Sequence, residues 1–81
     1  MRVSIQRQVD TGHLASGAAG DLFKKVDEIA RERNEGDFTE AAKKVGELRH
    51  KLGDLLDDGK LTAAGYDELI AGVEALEATA T

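Results

Sequence analysis

The side chains best suited to chemistry in this 81-residue chain are the acids around a glycine turn and two histidines. Asp54 and Asp58 precede Gly59 with the outline of a calcium loop. With Gly59 at loop position six, Asp54 falls at position one and Asp58 at five, both suitable. Such a loop also needs an oxygen at three and a bidentate glutamate at twelve. Those places hold Leu56 and Gly65. A related segment around Gly12 puts Arg7 at position one, so both turns read as helix C-caps. Glu47 and His50 form a Glu-x-x-His pair, half of the helical di-metal motif. The whole motif needs a second such pair and two more inward-facing glutamates. His13 lies in a turn beside no such partner, and Glu47 and His50 flank the apolar stripe instead of lying in it. They read as solvated.

The adjacent acids Asp27-Glu28 and Asp67-Glu68 point about 100 degrees apart on a helix. General acid–base work needs carboxylates that converge in a desolvated cleft. Ser4 and Ser16 have no His–acid arrangement nearby, and Ser16 reads as part of a helix cap. The glycines form no phosphate-cradling loop. No catalytic, cofactor-binding or metal residue is assigned, and no cofactor is expected. Gly46, Gly53, Gly65 and Gly72 are set two turns apart in pairs, each costing about 0.5–1 kcal/mol against alanine in a helix interior. The plain reading takes them as tolerated surface glycines. The alternative is close helix approach or a docking groove.

The elements that would position these residues are helices. The chain has no proline and no cysteine, and its aromatic content is only 4%. Its abundant Ala, Leu, Glu, Lys and Asp include the strongest helix formers. Without cysteine, neither disulfides nor thiolate metal sites can reinforce a core that supplies only ~3–5 kcal/mol net at this size. No apolar run approaches the ~20 residues of a membrane span. The N-terminal residues lack the basic and apolar regions of a signal peptide. The net charge of −5, with acids and bases interspersed along each helix, argues against nucleic acid. A helix-turn-helix reader would bring Asp21, Asp27, Glu28, Asp67, Glu68 and Glu74 against phosphates.

Four helices are predicted, over roughly residues 2–11, 16–33, 38–57 and 63–78. Ile5 and Val9 share a face of the first, which Gly12 stops. Ala19, Leu22, Phe23, Val26, Ile29 and Ala30 make the stripe of the second. The third opens on Asp37-Phe38-Thr39-Glu40, in capping-box form, with Thr39 as an alternative cap. Its stripe runs Phe38, Ala41, Ala42, Val45, Leu48, Leu52, Leu55, Leu56. Thr62 caps the fourth, with Leu61 and Tyr66 placed as a hydrophobic staple. Leu69, Ile70, Val73 and Leu76 continue it.

The chain also repeats itself. Asp10-Thr11-Gly12-His13-Leu14-Ala15 returns 47 positions later as Asp57-Asp58-Gly59-Lys60-Leu61-Thr62, each followed by a similar apolar pattern. Each copy reads as a helix end, a turn and a new helix start. The fold class is therefore all-α: a small antiparallel three-helix bundle with a short extra N-terminal helix, built as two related αα-hairpins and forming one domain over residues 1–81.

One further cue is the order of signals. It runs Ile5-x-x-x-Val9-x-x-Gly12-x-Leu14, Ala19-x-x-Leu22-x-x-Lys25-Val26, Glu35-Gly36-Asp37-x-x-x-Ala41, then Gly59-Lys60-Leu61-Thr62 with Leu69. It resembles the FIMAH type of helical module, and more loosely the FIVAR type. It is also similar to helical segments at the extracellular C-termini of actinobacterial serine/threonine kinases. The resemblance covers nearly the whole chain and carries over no functional residue. It implies a non-catalytic accessory module of a larger bacterial protein, exposed at the cell envelope, and it names no ligand. A protein or envelope ligand of unknown identity is the expected partner, and a monomer is preferred to a dimer. Alternatives from the residues are a stand-alone cytoplasmic regulator that dimerises through an apolar stripe, and a calcium-responsive module.

Overall fold

The computed structural model describes residues 2–79, and all regular structure among them is helical. Helix α1 spans Arg2–Asp10, α2 Ser16–Asn34, α3 Phe38–Asp57 and α4 Ala63–Thr79. The helices pack in a ring: α2 against α3, α3 against α4, and α1 between α2 and α4. The described part is elongated, with principal extents of 35 × 17 × 16 Å.

Each helix stops for a local reason. At the end of α1 the Gly12 N–H donates to the Val9 carbonyl and the His13 N–H to the Gln8 carbonyl. At the end of α3 the Gly59 N–H donates to Leu56 and the Lys60 N–H to Leu55. Both are the Schellman arrangement, in which the residue after the cap takes a left-handed conformation. Gly12 (φ 79°) and Gly59 (φ 74°) occupy that position without the penalty a Cβ would bring. The α2–α3 junction uses the same pair of bonds, Gly36 to Arg33 and Asp37 to Glu32.

Helix starts are uneven. Asp37 caps α3, its Oδ1 accepting from the Glu40 N–H at 3.1 Å. The reciprocal half of the expected capping box has no free donor, because the Asp37 N–H already serves the C-terminus of α2. Thr62 caps α4 through its Oγ1, which accepts from the Gly65 N–H at 3.1 Å. In the first copy the cap position is Ala15, which has no side-chain acceptor, and Ser16 is already helical. Ser16 is therefore not the cap.

What holds the ring together is one apolar cluster drawn from all four helices and both related turns. Ile5, Leu22, Leu48, Leu52, Leu69 and Val73 are fully buried, with Ile29, Val45, Leu55, Leu14 and Leu61 close behind. Burying each of the larger side chains is worth roughly 1.5–3 kcal/mol. The stripe positions Phe38, Ala42 and Ala30 lie outside this core and are exposed, while Ala18 lies inside it. Phe38, at the first position of α3, stays exposed beside Ala30, Arg33 and Asn34 of α2.

The two copies of the repeat meet. Leu14 and Leu61 form an isolated antiparallel bridge, with the Ala15 N–H donating to the Lys60 carbonyl and the Thr62 N–H to the His13 carbonyl, each at 2.9 Å. Every member of one bond has its counterpart 47 residues away in the other. The bridge consumes backbone groups that a turn would otherwise leave to water. It also buries both leucines. The recurring Asp-x-Gly-x-Leu pattern is thus a self-complementary clasp at one end of the molecule.

Candidate functional site

Several residues with chemical potential are occupied in holding the helices together. Glu68 of α4 accepts from Arg7 at 2.7 Å through one oxygen and from Gln8 through the other. Gln8 is the single buried polar residue of the described core. Neither its burial nor its partner, sixty residues away, has a sequence signal: on α1 it reads as one more exposed polar position.

Gly65 overturns the plain reading of the helical glycines. A Cβ there would stand 2.9 Å from Leu61 Cδ1, 3.1 Å from Gln8 Oε1 and 3.1 Å from His13 Cβ. It is the close approach between α4, α1 and the first turn. Gly46 and Gly53 have nothing within 4 Å of such an atom and are tolerated glycines. The supposed calcium loop would need its bidentate acid at the Gly65 position, where no side chain fits.

Glu47 turns toward α2 and accepts from Lys25 Nζ at 3.1 Å. Lys25 and Lys44 also reach Glu28, at 3.9 and 3.4 Å, which makes a four-charge seam between α2 and α3. The hydrogen bond from Lys25, then its charge, holds the Glu47 carboxyl below its ordinary range. The same seam raises the Lys44 ammonium, chiefly through its bond with Glu28. The Arg49 guanidinium is raised by its bond with Glu77. His50 is 83% exposed and lies beside Asp54 at 3.5 Å, so it does not join Glu47 in a site.

Adjacent acids separate as their helical angle dictates. Asp27 pairs with Arg2 and Glu28 with the lysines, whereas Glu68 ties α1 and Asp67 faces solvent. His13 Nδ1 lies 2.7 Å from Thr62 Oγ1 and supports the α4 cap. Among the described residues no group of three acid, histidine or cysteine side chains gathers as a metal site. No helix among them is long and apolar enough to cross a membrane.

One feature is not consumed in this way. α1 has 9 residues beside an α2 of 19 and an α4 of 17. At 1.5 Å per residue its described length is about half that of either neighbour. Beside Arg2 lies a cleft of about 360 Å³, lined by Arg2, Val3, Val26, Ile29, Ala30, Arg33 and Leu76. A second hollow shares Ala30 and Arg33 and extends to Asn34 and Phe38. Val3 and Phe38, at 72% and 54% exposure, are the most exposed large apolar side chains described. Among the described residues no acid lines either hollow, although the chain as a whole carries −5.

Among the described residues this is a small all-helical module in which several polar groups serve caps and interhelical ties. Residues 1–78 match the FIMAH domain, and the chain belongs to that family of non-catalytic accessory domains. No curated protein and no solved structure matches it.

Proposed function

We propose that the chain is a non-catalytic interaction module of a larger bacterial, envelope-exposed protein such as a serine/threonine kinase. The observation that carries this reading is the FIMAH match over residues 1–78. The disposition of side chains supports it. The acids and histidines best placed for chemistry, Glu28, Glu47, Glu68 and His13, are engaged in ion pairs or hydrogen bonds that join segments distant in sequence.

In this reading residues 1–81 act as one folded unit. Helices α2 and α3, and α3 and α4, pack as neighbours, and the short α1 between α2 and α4 completes two related αα-hairpins clasped at Leu14 and Leu61. The module presents a surface to a protein or envelope ligand while another part of the parent protein does the chemistry. Recovery of the full reading frame tests it. A frame encoding further domains and an export signal is the expected result. A free-standing cytoplasmic gene ending with this module sinks the reading.

A further inference from the structure

We draw no further inference here: the strongest candidate, the mixed-charge cleft between α2 and α3 along Lys25 and Lys51, is lined by as many acids as lysines, so charge selects no ligand there and nothing in the structure shows what covers it.

Discussion

Gly65→Ala is a single methyl group added where three segments meet, and its effect can be worked from the distances. The new Cβ would lie 2.9 Å from Leu61 Cδ1 and 3.1 Å from both Gln8 Oε1 and His13 Cβ. Leu61 is 2% exposed and Gln8 1%, so neither can swing into solvent. His13 Cβ is fixed to the backbone of the clasp. Overpacking of this kind costs about 1–3 kcal/mol. Alanine returns at most ~0.5–1 kcal/mol of helix propensity, and less in a first helical turn. The net expectation is a loss of about 1–2 kcal/mol, a fall in Tm of roughly 5–15 °C for a domain of this size.

The controls make the sign decisive. Gly46→Ala and Gly53→Ala add the same methyl into open space. They should stabilise by ~0.5–1 kcal/mol through helix propensity alone. Ala18, the repeat counterpart of Gly65, is buried. Ala18→Gly should therefore destabilise, so that the two copies want opposite residues at one place. Far-ultraviolet circular dichroism melts of the four variants, with urea titrations to obtain free energies, provide the measurement. A Gly65→Ala protein melting at or above the wild type would refute the close-approach reasoning.

Three further predictions follow from the clasp, the cap and the charged seam. Leu61→Ala removes one of the paired leucines and should cost about 2–5 kcal/mol, enough to leave much of the chain unfolded at ambient temperature; a urea midpoint close to the wild type counts against the clasp as a core element. Thr62→Val keeps the shape but leaves the Gly65 N–H without its cap, for a loss of about 0.5–2 kcal/mol, whereas an unchanged Tm would mean that the cap contributes nothing. Glu47→Gln should lower Tm at neutral pH, and the difference should close in acid. Because Lys25 depresses the folded carboxyl, the contribution is present above the unfolded pKa and disappears as pH falls through the folded one. A gap between the two proteins that persists in strong acid contradicts that linkage.

Legibility from sequence followed the range of the interaction. The helix stops at Gly12 and Gly59 and the caps at Asp37 and Thr62 depend on bonds spanning at most five or six positions, so a reader of the chain can place them. The same holds for the core faces of α1 and α2, where Ile5, Leu22 and Ile29 repeat at helical spacing. Gln8 could not be found this way. Its burial depends on Glu68, which local spacing does not bring near it. Phe38 belongs to an apolar stripe by spacing, yet at the first position of α3 it is exposed.

By itself, then, the sequence determined the all-helical character, the caps at Asp37 and Thr62, the glycine turns, the family, and the existence of two related turn segments. These are consequences of propensity, local hydrogen bonding and glycine stereochemistry, all complete within a few residues. Only the tertiary structure decided that the two turns clasp each other through Leu14 and Leu61, and that Gly65 is indispensable while Gly46 and Gly53 are not. The physical reason is that a pairing of backbone groups between two turns 47 positions apart, or a methyl with no room, belongs to two segments at once. A single sequence records each partner without recording that they meet.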